Sequence, residues 1–102
     1  MTEFMGNIAG TYDAKEKGFV PGSSSLHSTM SGHGPEAEVY EKASKADLKP
    51  VKVGEGSMAF MFETAYMMKL TDYAVNPNHI DDEYYKCWEP LVKHFDKNMK
   101  LW

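Results

Sequence analysis

The clearest alternation of apolar and polar positions lies between residues 58 and 70. Met58, Phe60, Phe62, Thr64, Tyr66, Met68 and Leu70 fall on every second position, with Ala59, Met61, Glu63, Ala65, Met67 and Lys69 between them. Side chains point to opposite faces along a strand, so the pattern predicts one long strand with a strongly buried face. Methionine and alanine favour helices, and a helix is the competing reading. Residues 1 to 12 predict a strand or two around a turn, with Phe4, Met5, Ile8 and Tyr12 as apolar content and Gly10 at a turn or bulge.

Helical signals are shorter. Pro35 suits the first position of a helix running to Ser44, and Glu36 and Glu38 suit the positive end of its dipole. Asp81 or Asp82 can cap a second helix through Trp88, where Tyr84, Cys87, Trp88 and Leu91 repeat at helical spacing until Pro90 interrupts. Val51 and Val53 are candidates for a strand before the Gly54-Glu55-Gly56 turn, and Asn76-Pro77-Asn78 is a second turn. The tail after Phe95 reads as frayed. Residues 13 to 18 read as an exposed connection. Residues 18 to 34 are rich in glycine and serine, which suits a linker, yet Phe19, Val20, Leu26 and Met30 favour an ordered loop packed over something.

This inventory predicts a mainly β chain with short helices. A closed jelly roll needs about eight strands to cover its core, and the pattern supplies three or four. The chain therefore reads as half of a β-sandwich, either a fragment or one that needs a partner.

Composition adds limits. At 102 residues the chain holds one domain at most. A formal charge of -4 gives no basic footprint for nucleic acid or an anionic membrane. The N-terminus lacks a basic, apolar leader and no apolar run is long enough to span a bilayer, so a cytoplasmic protein is expected. The lone Cys87 permits no internal disulfide and fits a reducing compartment. Eight methionines and 13% aromatics read as core filling.

Three residues could carry chemistry: Glu3, His27 and His33. Non-haem ferrous oxygenases hold iron with two histidines and a carboxylate on one face of an octahedron, which leaves adjacent positions open. His33 lies between two glycines, where backbone can approach a metal or substrate closely. No nucleophile elbow, phosphate loop or paired-cysteine motif competes. A stand-alone zinc site on His27 and His33 is a weaker alternative, because no third and fourth donor is placed by the sequence.

The longer words of the chain are more specific. Glu-Phe-Met-Gly at 3 to 6, Gly-Phe-Val-Pro-Gly at 18 to 22, Leu-His-Ser-Thr-Met at 26 to 30 and His-Gly-Pro-Glu at 33 to 36 resemble the homogentisate 1,2-dioxygenase family. So do Glu-Lys-Ala-Ser-Lys at 41 to 45, Met-Ala-Phe-Met-Phe-Glu at 58 to 63 and Lys-Cys-Trp-Glu-Pro-Leu at 86 to 91. The resemblance runs in order over roughly residues 1 to 95 and is weaker at 64 to 81. It implies a cupin-like β-sandwich, here an incomplete jelly roll with a C-terminal helix, of which residues 1–102 are the C-terminal part. It implies Fe(II), with homogentisate and O2 as reactants, maleylacetoacetate as product in tyrosine and phenylalanine catabolism, and assembly as trimers that pair into hexamers. It further implies Glu3 and His33 as iron ligands, Tyr12 and His33 as substrate contacts, and His27 as a residue orienting its neighbours. The family's first iron-binding histidine falls before Glu3, where this sequence has only Met1 and Thr2. Neither His79 nor His94 replaces it. An inactive piece is therefore expected from residues 1–102 alone, and a non-catalytic β-module that binds another chain through its apolar sheet face is the alternative.

Overall fold

The computed structural model describes residues 1–100. Three strands form one antiparallel sheet in the order β2-β1-β3: β1 Thr2–Ala9, β2 Ser24–His27 and β3 Met58–Thr64. One α-helix, α1 Ala37–Ser44, and one 3-10 turn, Tyr84–Cys87, complete the regular structure among the described residues. The expectation of a mainly β chain with short helices agrees with this inventory.

β1 is the central strand. Phe4 sits between Leu26 and Phe62, and Gly6 between Ser24 and Phe60. The Phe60 ring lies over the Gly6 α-carbon, where an added Cβ would meet Cε1 at 2.5 Å. The register shifts between Asn7 and Ala9. Gly10 then turns the chain at φ 67, with Ser57 Cα 2.8 Å from where a Cβ would stand. The expected turn or bulge is thus an irregularity in the ladder followed by a left-handed glycine.

Alternation divides β1 into two faces. Glu3, Met5 and Asn7 point to one side, with Ser25 and His27 beside them on β2; Phe4 and Gly6 point to the other, with Phe60 and Phe62 on β3. The loops 10–20 and 31–37 and the 84–87 turn gather on the Glu3 side, where Met5 is 4% exposed and Phe19 is also buried. Asn7 anchors this cover. Its amide donates to the carbonyls of Gly10 (2.9 Å) and Phe19 (2.7 Å), and its backbone pairs with Gly22 and Ser23. The serine- and glycine-rich stretch is accordingly an ordered loop.

Several expectations are corrected. The alternation at 58–70 forms a strand only to Thr64, and the face expected to be buried is open: Phe62 is 68% exposed, and Met58, Tyr66, Met68 and Leu70 are also exposed. β3 is an edge strand, and no element of the described residues packs over it, so alternation built the strand without a layer to bury it. Val51 and Val53 form no strand; the 54–57 turn follows, with Ser57 N donating to the Gly54 carbonyl. The second helix is one 3-10 turn closed by i→i−3 bonds such as Trp88 N to the Tyr85 carbonyl, and it stops short of Pro90, which has no N–H to extend it. Lys15, in the connection read as exposed, has a side chain only 16% exposed. The segment from 96 to 100 holds a turn, and the expectation of fraying at residues 101 and 102 lies outside the described residues.

Candidate metal centre

Strand register makes the first contact of the site. Glu3 on β1 is the direct cross-strand partner of His27 on β2, so both project from the covered face. The chain then reverses through Met30, at φ 68, with Ser31 N donating to the Ser28 carbonyl. This brings His33 back over His27. The two imidazoles stack with centroids 4.2 Å apart and planes 3° from parallel.

The three side chains lie close together. Single donor atoms of Glu3, His27 and His33 all lie within 4.8 Å of one another. His33 Nε2 stands 3.3 Å from Glu3 Oε2, and His33 Nδ1 stands 3.4 Å from the Ser31 carbonyl. A carbonyl can only accept, so a hydrogen bond there needs the proton on Nδ1, whereas one from Nε2 to the Glu3 carboxylate needs it on Nε2. A neutral ring makes one of the two, and a cation between Nε2 and the carboxylate would let it keep the proton on Nδ1. First-row metal ions take such donors at about 2.1 Å, and two atoms 3.3 Å apart are therefore spanned by a single ion. His27 presents Nδ1 at 3.6 Å from Glu3 Oε1, too long for a hydrogen bond, and this buried nitrogen has no hydrogen-bond partner among the described residues. A buried polar atom without a partner, beside a carboxylate and a second imidazole, fits a cation or a tightened carboxylate contact.

The pairing of Glu3 with His33 matches the residues singled out in the sequence. His27, the other singled-out histidine, is equally near, so Glu3 is the third donor that the zinc alternative lacked. Tyr12 lines the same cavity of about 120 Å³, together with Tyr84 and Trp88. Small-molecule sites usually enclose roughly 300–1,000 Å³, so this cavity has room for an ion and only part of a small-molecule ligand. His79 and His94 lie elsewhere, His79 against Tyr73 and His94 against Tyr40.

Burial and neighbouring charge tune these groups. Burial, and then His33, push the His27 pKa below the ordinary histidine value, against the pull of Glu3. Burial, Asp13 and Glu3 raise Tyr12. Burial, followed by Cys87 and Tyr12, pushes Tyr84 up to about 12. Both phenols therefore remain O–H donors near neutrality.

A supporting set was not legible in the sequence. Tyr84 Oη lies 3.3 Å from His27 Nε2. Trp88 Nε1 donates to the Gly34 carbonyl at 2.9 Å, next to His33. Glu36 stands at the N-cap of α1, at the helix end where it was expected, and is buried; it accepts from Glu16 N at 3.1 Å and Lys15 Nζ at 3.3 Å, tying the 13–17 segment to the histidine loop. Tyr84 and Trp88 stand four residues apart, which marks a shared side of a turn and nothing about which histidine they meet.

Comparison with known proteins places the chain in a family. The family described as "Homogentisate 1,2-dioxygenase C-terminal" matches residues 1–95. The homogentisate 1,2-dioxygenase of Mus musculus is 50% identical over 101 residues, covering 98% of this chain and 23% of the relative. That of Caenorhabditis elegans is 56% identical over 95 residues, covering 93% and 22%, and that of Rhizobium etli is 55% identical over 98 residues, covering 96% and 21%. The chain spans about a fifth of the length of these relatives.

Proposed function

The chain belongs to the homogentisate 1,2-dioxygenase C-terminal family, and on that premise we propose that residues 1–102 supply Glu3 and His33 to a ferrous ion in a ring-cleaving dioxygenase. The observation that carries this reading is the Glu3 carboxylate facing His33 Nε2 at 3.3 Å. An Fe(II) ion held there supplies adjacent open positions for a chelating substrate and for dioxygen. The reaction proposed is the opening of homogentisate to maleylacetoacetate, as the names of the relatives support.

The chain's own residues then have distinct tasks. Glu3 and His33 hold the ion. Tyr12, whose hydroxyl stays protonated through burial, donates to a substrate hydroxyl, and His33 forms one side of the place where substrate sits. His27 orients Glu3 rather than binding the ion. The His27 and His33 rings stack parallel to within 3° with centroids 4.2 Å apart, so their nitrogens are not aimed at one shared point, and His33 rather than His27 would hold the ion. The ligand set of two histidines and a carboxylate is completed by an imidazole other than His27. Another wall likewise completes the substrate pocket, since about 120 Å³ is too small to enclose an aromatic acid.

The bare Phe4–Phe60–Phe62 face supports two placements. In the first it receives a second sheet of a cupin-like sandwich in an assembly of the dioxygenase type. In the second, the chain is a non-catalytic β-module and the same face binds another chain. Oxygen uptake with homogentisate, recorded beside bound iron, separates them in the full-length protein that carries this segment. Glu3→Ala and His33→Ala are each expected to lose iron and uptake together, by more than the roughly 10- to 100-fold typical of residues one layer out. Wild-type protein without iron or uptake would favour the binding module. Residues 1–102 expressed alone are expected to hold iron weakly and to give no turnover.

A further inference from the structure

We infer that Tyr84 is a positioning residue of the metal centre, its hydroxyl holding the His27 ring so that Nδ1–H faces the Glu3 carboxylate. The inference rests on the reading of Glu3 and His33 as metal ligands and deepens it.

Four groups form a continuous line. Tyr84 Oη is 3.3 Å from His27 Nε2, His27 Nδ1 is 3.6 Å from Glu3 Oε1, and Glu3 Oε2 is 3.3 Å from His33 Nε2. The charges along it fix the proton positions. A lone pair on Nδ1 would face the carboxylate and be repelled, so the proton belongs on Nδ1 and the lone pair on Nε2. That lone pair accepts the Tyr84 O–H. One carboxylate oxygen is then steered by His27 while the other remains for the ion. At 3.6 Å the Nδ1–H acts on the carboxylate through charge rather than through a formed hydrogen bond, and loss of groups that orient a ligating carboxylate typically weakens metal binding by roughly 10- to 100-fold.

Tyr84 is itself held from several sides. The Trp88 ring meets it edge-on at 5.0 Å, and Lys15 Nζ lies 5.3 Å from its ring centroid. Lys15 is fixed by Glu36, and Trp88 by its bond to the Gly34 carbonyl. One short turn thus reaches both histidines, His27 through the phenol and the His33 loop through the indole. With Nε2 held, His27 is restrained from turning toward a shared ion, which preserves its role as an orienting group.

The test is a Co(II) titration of the full-length protein carrying this segment, read by visible absorption of the bound ion, with circular dichroism to check the fold. Tyr84→Phe is expected to weaken Co(II) binding about 10-fold and to alter the absorption band. His27→Ala is expected to do the same, and Tyr84→Phe added to His27→Ala is expected to cost nothing further, because the phenol acts through that ring. Unchanged binding in Tyr84→Phe, or losses that simply add, would overturn the inference. Histidine-labelled NMR of the metal-free wild type gives a second readout that requires no variant: His27 with Nδ1 protonated and Nε2 bare is expected, and the opposite tautomer overturns the inference. Glu3→Ala separates the two levels. If it abolishes Co(II) binding while Tyr84→Phe changes nothing, only the role of Tyr84 falls. If wild type and Glu3→Ala take up the ion equally, the metal reading falls and the inference with it.

Discussion

On one side of the sheet Glu3, Met5 and Asn7 lie under loops and a 3-10 turn; on the other Phe4, Phe60 and Phe62 form an aromatic row with no element of the described residues over it. The covered side is the more polar of the two. Its cover is pinned by particular hydrogen bonds, the Asn7 amide to two carbonyls and the Glu36 carboxylate to Glu16 N and Lys15 Nζ. The bare side has the stronger hydrophobic signal and no partner among the described residues. Apolar alternation therefore makes a strand that wants a second layer, whereas specific polar anchors make a loop stay. Cover is also limited across the sheet: Met61, on the same side as Met5 but on the edge strand, is still exposed.

The contrast can be broken most sharply at its two extremes. Met5→Ala removes a buried side chain and is expected to lower unfolding free energy by about 2–5 kcal/mol, whereas Phe62→Ala, on the bare side, is expected to change it by about 0.5 kcal/mol or less. Urea titrations followed by tryptophan fluorescence compare them; equal losses would mean that the aromatic row is covered after all. Asn7→Ala comes next. It leaves the Gly10 and Phe19 carbonyls without their donor, with an expected cost of about 1–3 kcal/mol and faster amide exchange at residues 19–23 in hydrogen-exchange mass spectrometry.

A subtler difference concerns association. Burying an aromatic side chain contributes roughly 1.5–3 kcal/mol, so residues 1–102 alone are expected to self-associate through the bare side. Phe62→Lys should shift sedimentation toward monomer, while Met30→Lys, at an exposed loop residue, should leave it unchanged. The smallest effect is expected at the exposed Lys17–Glu38 pair: Lys17→Ala should leave the urea midpoint where it was, since such pairs are screened by water.

Much of the chain was legible in advance. Residues 1–12 and the start of 58–70 read as strands, Pro35–Ser44 as a helix that begins two residues later, and Glu3, His27 and His33 as candidates, which the fold brings within 4.8 Å of one another. The overstated parts share a cause. The buried face at 58–70, the strand at Val51 and Val53, and the α-helix before Pro90 were inferred from local pattern, and local pattern reports what a segment would bury without saying whether anything arrives to bury it.

By itself, the sequence determined most of the element types, the family and the three candidate residues Glu3, His27 and His33, because alternation, proline position and rare words are local properties. Tertiary structure decided which of those side chains meet. Antiparallel register set Glu3 opposite His27, a left-handed residue at Met30 returned His33 onto His27, and a turn more than fifty residues away brought Tyr84 to the His27 ring. Such contacts depend on pairing and chain reversal over long separations, which no local periodicity encodes.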